Sequence, residues 1–571
     1  MRWQIRARSA ALLSAAALAS AAGCLVVTPL DDLPSEQAGS AGSGANAGSG
    51  HGGTKPTSGT GGAAHAGEAP SAGEAGSSSG ECKTNAQCVA RAADEPARCR
   101  PSDHTCVTLK NEACPIAIGK AEDPNAIYFG AFATLDRATP ADNAIIWAHQ
   151  LALDEFGSDN VGGLLGPGTT RRPLVMLVCN NLPDVVDPAM QHLAEDVEVP
   201  AVIATLKPGD LRRAFETYAA RDIFYLSPVP VTTPVVAEPD DGHIWNLLGQ
   251  PSDLAPTYVE LLKLSEAHLR KLYDIQPPDS LKVALVTTKD AYDDELANVL
   301  RGVLQFNGKS VAGNAGNFKD YTILPDPDFA SMATKIAEFA PDIVISAASE
   351  PFVMNGGLHE ELEADWDTEV VPTGKRRPFY ILSPFNAGDL ADLLGRVNGR
   401  LERTPAVQDQ QRYVGVSIAA APDNSLQNAY EIRLSSVVDD PVNDTANYYD
   451  AVYYLAYAMY AANQPGGITG SGIRDGMLRL LKGDDVNVGP DAISSTFKTL
   501  AVKGKTVHVV STLGPPDFDA TTGVRPVDGS VFCLNRTGNT AKPSFDALRY
   551  DRTKKALVGD SLPCISGFFT P

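Results

Sequence analysis

The sequence predicts an α/β protein of two lobes, each a parallel sheet covered by helices. Three observations predict it. Short, continuously apolar runs such as Leu174–Cys179 (LVMLVC) read as strands buried on both faces. The segments between them carry helical periodicity. In Glu295–Phe306, for instance, Leu296, Val299, Leu300, Val303 and Leu304 fall at i, i+3, i+4, i+7 and i+8. The alternation also occurs twice, before and after a polar break near residue 250.

Taken in order, Ala126–Thr134 is expected as a strand with its turn and Ala144–Phe156 as a helix. Leu174–Cys179 follows as a strand, Pro188–Glu198 as a helix, and Val199–Ala204 and Ile223–Leu226 as strands. Beyond the break come strand Lys282–Thr287, helix Glu295–Phe306, helix Phe329–Phe339, and strands Asp342–Ala347 and Phe379–Leu382. Ligands of such folds sit at the carboxyl ends of the strands or between lobes.

Upstream of the lobes the composition changes. Arg2, Arg6 and Arg8 precede a small-residue apolar run from Ala10 to Ala22, the layout of a secretory signal and too short to span a bilayer. The run ends Ala21-Ala22-Gly23-Cys24, which resembles the bacterial lipobox, although Ala21 stands where Leu is usual. That resemblance implies cleavage before Cys24 and acylation of its sulfur, giving an exported, membrane-anchored lipoprotein of the periplasm or cell surface. Residues 24–80 are mostly Gly, Ala and Ser and bury too little apolar surface to offset chain entropy. About 50 such residues span on the order of 40 Å as a flexible stalk. The glycines carry no strand before them and no helix after, so they are not a nucleotide loop.

The chain has nine cysteines; with Cys24 assigned to the lipid, an even number remains, which in an exported protein favours disulfides. Residues 81–114 form a small cysteine-rich module. Two local bridges are expected among Cys82, Cys88, Cys99 and Cys106, in a segment too small for a core of its own. Zinc is the alternative, but the C-x₂-C spacing is missing. Cys114 then pairs elsewhere, most simply with Cys179, and Cys533 with Cys564; spacing alone leaves these connectivities open.

Charge and motifs exclude several functions. A net charge of −22 argues against nucleic acid as a partner, because phosphate binding needs a basic surface. The sequence has no H-E-x-x-H, G-x-S-x-G or Walker loop, and His359-Glu360-Glu361 lacks a second histidine at helical spacing. Asp517 and Asp519 in GPPDFDATTG lack the spacing and closing Glu of an EF-hand and read as a structural turn. No enzyme, metal or cofactor is expected.

Eight segments in sequence order resemble the branched-chain amino-acid type of bacterial type I periplasmic substrate-binding protein. They are AIIWAHQLALDEF, PLVMLVCNN, VEVPAVIA, FYLSPVPVTTP, IWNLLGQPSDLAPTYVELL, KVALVTTKDAYDDELANVLRGVLQFNGKSV, DFASMATKIAEFAPDIVISA and YYDAVYYLAYAM, between residues of about 120 and 525. The resemblance implies two Rossmann-like lobes joined by three crossing strands that close over a small ligand. Lobe 1 is expected at 115–248, lobe 2 at 249–430, the return to lobe 1 at 431–500, and lobe 2 with a C-terminal segment at 501–571. It also implies delivery of a small-molecule ligand to an ABC permease, or ligand sensing without one.

The resemblance further implies which residues hold the ligand. Thr205 stands where the family has a Ser or Ser-Ser pair. The loop from Ser227 to Pro234 places Thr232 and Thr233 where a ligand-facing Ala-Thr occurs. Tyr292 matches the ligand-stacking aromatic, beside an acidic run, Asp293 to Glu295, that suits a helix N-terminus. Ser349 and Glu350 follow the second strand of lobe 2. Phe385 stands where the family carries the Glu that meets a ligand ammonium, which puts free amino acids in question as ligands.

Overall fold

The computed structural model describes residues 82–92, 95–135, 140–165, 170–366, 376–386, 412–419, 425–438, 445–462, 468–537 and 540–559. The expected signal peptide, Cys24, the stalk and Cys564 lie outside the described residues.

The period-2 geometry of a strand sorts each apolar run between two cores. In strand Ile127–Ala133, Ile127, Phe129, Ala131 and Ala133 face one cluster, and Tyr128 and Phe132 face the other. Leu174, Met176 and Val178 likewise oppose Val175, Leu177 and Cys179. Among the described residues this lobe-1 sheet has six strands, in the spatial order Ile244–Asn246, Phe224–Ser227, Ala201–Ile203, Ile127–Ala133, Leu174–Asn180, Ile116–Ile118. All neighbours are parallel except the last pair. Helices Pro140–Gly157 and Ala446–Ala461 supply residues to one face, and Val186–Gln191 and Pro208–Tyr218 to the other.

Lobe 2 is built in the same way. Val283 and Leu285 face one core, Ala284 and Val286 the other. Strands Phe318–Thr322, Val283–Thr287, Ile343–Ser346, Phe379–Leu382 and Tyr413–Ile418 run parallel in that order. Three antiparallel strands, Gly529–Thr537, Thr540–Asp551 and Ala556–Gly559, extend the sheet beyond Tyr413–Ile418. Together the two sheets give the expected two-lobed α/β architecture.

Segments that lead from one lobe to the other lie side by side. Asn246 donates its N–H to Gly523 O at 2.8 Å and accepts from Arg525 N at 3.0 Å; Ala419 N donates to Asp528 O at 2.8 Å. Gly523 lies at φ +66°, and a Cβ there would come within 2.3 Å of Ile244 O, so the first and third crossings lie this close only because residue 523 is glycine. The lobe-1 core takes in Tyr430, Leu434, Val507, Val509 and Phe518. The chain segment packed on lobe 1 therefore runs from about helix Ser425–Leu434 to Phe518, wider than 431–500, because these apolar side chains pack with Tyr449 and its neighbours.

Helix Glu295–Phe306 of the sequence reading instead spans Ala291–Val303. Asp290 caps it, its side chain accepting from Tyr292 N at 3.1 Å. It stops where Asn307 and Gly308, at φ 49° and 68°, turn Gln305–Phe306 back onto Lys309–Ser310. Segment GPPDFDATTG forms a turn in which Asp519 Oδ1 accepts from Thr521 N at 2.8 Å.

The cysteine module is crosslinked by Cys82–Cys99 and Cys88–Cys106, two local bridges. Cys114 pairs with Cys179, tying the module's end to the lobe-1 sheet. Cys533 is also disulfide-bonded; its expected partner, Cys564, lies outside the described residues. The module docks on lobe 1. Arg98 donates to Val197 O at 2.7 Å and Arg100 to Glu195 O at 3.3 Å, both on the π-helical turn His192–Val197. Among the described residues no helix is long and apolar enough to cross a membrane.

Candidate ligand-binding cleft

The loops after the carboxyl ends of the parallel strands of both lobes meet across a cleft. Lobe 1 contributes Thr205, after Ala201–Ile203, and Ser227 to Thr233, at and after Phe224–Ser227. Lobe 2 contributes Thr288 to Glu295, Ala348 to Glu350, and Ser383 to Asn386, after its strands Val283–Thr287, Ile343–Ser346 and Phe379–Leu382. The eight residues expected from the sequence lie on these strand-end loops, and the loops of the two lobes touch through Thr233 with Glu295 and Lys207 with Asp290.

Their polar groups are not all available. Ser227 is fully buried, and its hydroxyl donates to Val229 O at 2.9 Å, which shapes its own loop. Ser349 spends its N–H and hydroxyl on Asp293 Oδ2, at 2.9 and 3.0 Å. Thr233 spends both donors on Glu295: the N–H reaches the two carboxylate oxygens at 3.2 and 2.9 Å, and the hydroxyl reaches Oε1 at 2.8 Å. Thr232 is buried and precedes the short helix Thr233–Val236 without a side-chain cap bond. The hydroxyl of Thr205, by contrast, is buried with no hydrogen-bond partner. Glu350 opens the short helix Glu350–Val353; its side chain is outside the described residues.

Two aromatic rings stand together. Tyr292 packs into the lobe-2 core, 4% exposed, and its hydroxyl also lacks a partner. Burial pushes the Tyr292 hydroxyl well above the usual phenol range. Phe385 is 44% exposed and lies edge to face against Tyr292. Of the pair, Phe385 is the ring that presents apolar surface, at the position where the resemblance called for a glutamate.

Asp293 organises the lobe-2 side. It is buried and accepts from Thr288 Oγ1 at 2.7 Å as well as from Ser349. Burial raises its carboxyl to about 6 against the opposing pull of those hydrogen bonds. Asn386 joins the remaining loops: its Nδ2 donates to Ala348 O and Ser349 O, each at 3.2 Å, and its Oδ1 accepts from Ser383 N at 3.1 Å. The acidic run after Tyr292 is expected from the sequence to suit the helix N-terminus. Asp290 does the capping, while Asp293 holds a loop and Glu295 reaches the other lobe. The sequence signal was present in DAYDDEL, but acids at a helix start are ordinary, so their different partners were not legible.

Among the described residues two polar contacts span the lobes here, Glu295 with Thr233 and Lys207 Nζ with Asp290 at 3.4 Å. The second is a surface pair, with Lys207 mostly exposed, and contributes little.

No protein-family model matches the sequence, and no curated protein matches it significantly. Solved structures do match the fold. The branched-chain amino acid transporter substrate-binding protein of Streptococcus pneumoniae, in complex with isoleucine, is 14% identical, with a TM-score of 0.50 over 74% of this chain and 100% of that one. A putative branched-chain amino acid ABC transporter protein of Silicibacter pomeroyi is 16% identical, with a TM-score of 0.51 over 77% and 100%. A solute-binding protein of Rhodopseudomonas palustris, in complex with 3,4-dihydroxybenzoic acid, is 12% identical, with a TM-score of 0.50 over 75% and 98%. At these identities the likeness is one of fold.

Proposed function

We propose that this chain, which has the two-lobed fold of the type I periplasmic binding proteins, is an extracytoplasmic solute-binding protein that closes its lobes over a small organic solute for an ABC importer. One observation carries the reading. Strand-end loops of the two lobes touch at Glu295–Thr233 and Lys207–Asp290, and the same set of loops carries the exposed ring of Phe385 and the unpartnered hydroxyl of Thr205. An apolar ring with a few polar groups is the composition of a small-molecule site. The crossing segments act as the hinge, and a solute shifts the open–closed equilibrium only by its differential affinity for the two forms. A lipid on Cys24 and the Gly/Ala/Ser-rich stalk hold the lobes away from the membrane. In this reading the protein is a binder and not an enzyme, as are the proteins whose fold it shares.

A thermal-shift screen with amino acids, peptides, aromatic acids and sugars tests the reading. A solute at 100 times its Kd adds about 2.7 kcal/mol of stability. A panel that leaves the melting temperature unmoved throughout counts against a receptor. A second reading, sensing without transport, draws support from the disulfide module docked on lobe 1 through Arg98 and Arg100, an addition that solute delivery does not need. Binding of a solute without any interaction with a permease favours that reading.

A further inference from the structure

Glu295 lies in the second turn of helix Ala291–Val303 of lobe 2, and Thr233 begins helix Thr233–Val236 of lobe 1. The Glu295 carboxylate accepts three hydrogen bonds from Thr233 across the lobes, one from its hydroxyl at 2.8 Å and two from its N–H at 2.9 and 3.2 Å. An N–H and a hydroxyl on one residue, directed at both oxygens of one carboxylate, form a carboxylate-binding fork. This fork is filled by the protein's own side chain. Among the described residues no cation pairs with Glu295; its neighbours on the same turn, Asp293 and Asp294, bind Thr288 and Ser349, and Asn298 and Lys289. A solute carboxylate approaching Thr233 would meet the carboxylate of Glu295 on the facing lobe, and like charges repel.

We propose that Glu295 is a specificity-determining residue of the cleft, an internal carboxylate that occupies the Thr233 donors, holds the lobes together without a solute, and bars a solute carboxylate from those donors. The proposal rests on the solute-binding reading for its meaning, but the first arm of its test needs no solute and the second uses only acetate. Hydrogen–deuterium exchange is measured on the whole chain, without ligand, for wild type, Glu295→Ala and Thr233→Val. Peptides covering residues 228–236 and 288–296 should exchange about tenfold faster in Glu295→Ala and by a smaller factor in Thr233→Val, which keeps the N–H. Peptides from strands Leu174–Asn180 and Val283–Thr287 should be unchanged, which separates loss of the latch from loss of the fold.

Saturating acetate should then slow exchange of the cleft peptides in Glu295→Ala and leave wild type unaffected. Wild-type exchange rates in the cleft peptides of Glu295→Ala overturn the latch. Acetate protection that is equal in both proteins, or absent from Glu295→Ala, overturns the carboxylate fork. If no solute shifts the melting temperature while these exchange results hold, the solute-binding reading fails and the latch stands.

Discussion

The rings of Tyr292 and Phe385 meet edge to face, with centroids 5.1 Å apart and planes inclined at 82°. One ring is buried in the lobe-2 core and the other is nearly half exposed, so the pair separates a structural role from a binding one. Tyr292→Phe removes a buried hydroxyl that has no partner and should raise the stability of the solute-free protein by about 1 kcal/mol in urea unfolding. A loss of stability instead would mean that the hydroxyl is satisfied.

Phe385→Ala should leave that stability within about 0.5 kcal/mol of wild type, because the ring is exposed. It should reduce the affinity of any solute found by thermal shift about tenfold, through lost apolar contact. Unchanged affinity in titration calorimetry would remove Phe385 from the site.

The Asp293 carboxyl titrates near 6 in the folded protein, raised by burial, and near 4 in an unfolded chain. Its protonated form is the one the fold favours. The stability it contributes is therefore complete below a pH of about 4 and is lost as pH rises through about 6. The stability of wild type minus that of Asp293→Asn should fall by roughly 2 kcal/mol between pH values of about 4 and 7. Asp450, also buried and raised to about 6, is present in both proteins and drops out of the difference. A flat difference across that range would contradict the raised pKa.

The Cys114–Cys179 bridge closes a loop with a sequence separation of 65. In the chain-entropy account such a crosslink stabilises by about 4 kcal/mol, so the double variant Cys114→Ala/Cys179→Ala should lose stability of that order in denaturant unfolding. Loss of less than about 1 kcal/mol would show that packing of Ile116–Ile118 on Leu174–Asn180 holds this edge by itself.

Cys24→Ser should release the protein from membranes in soluble form, because two or more acyl chains are needed for stable anchoring and the variant carries none on that sulfur. Retention in the membrane fraction would refute the lipid anchor.

Much of the fold is legible in the chain. Strand Phe379–Leu382 and helix Phe329–Phe339 lie where the apolar runs and the helical period put them. These signals are local, and burial on both faces leaves little choice of element. The hairpin at Asn307-Gly308 was also legible, since Asn-Gly is a strong turn signal. It was masked by the helical period, which continues through Leu304. The C-terminal antiparallel strands were not read, because their pairing with Tyr413–Ile418 joins residues more than a hundred positions apart.

By itself the sequence determined two α/β lobes, the order of their elements, the crosslinked module, and the cleft loops that bear polar and aromatic residues. The lobes and the module follow from periodicity and spacing, which act over short stretches of chain, whereas the cleft loops are what the resemblance to the type I periplasmic binding proteins implies. Only the tertiary structure decided which of those residues are free. Ser227, Ser349 and Thr233 have their donors engaged within the protein, Thr205 does not, and Glu295 crosses to the opposite lobe. A hydroxyl or carboxylate reads the same in a sequence whether or not it has a partner, and its partner is set by which loops the two sheets bring face to face.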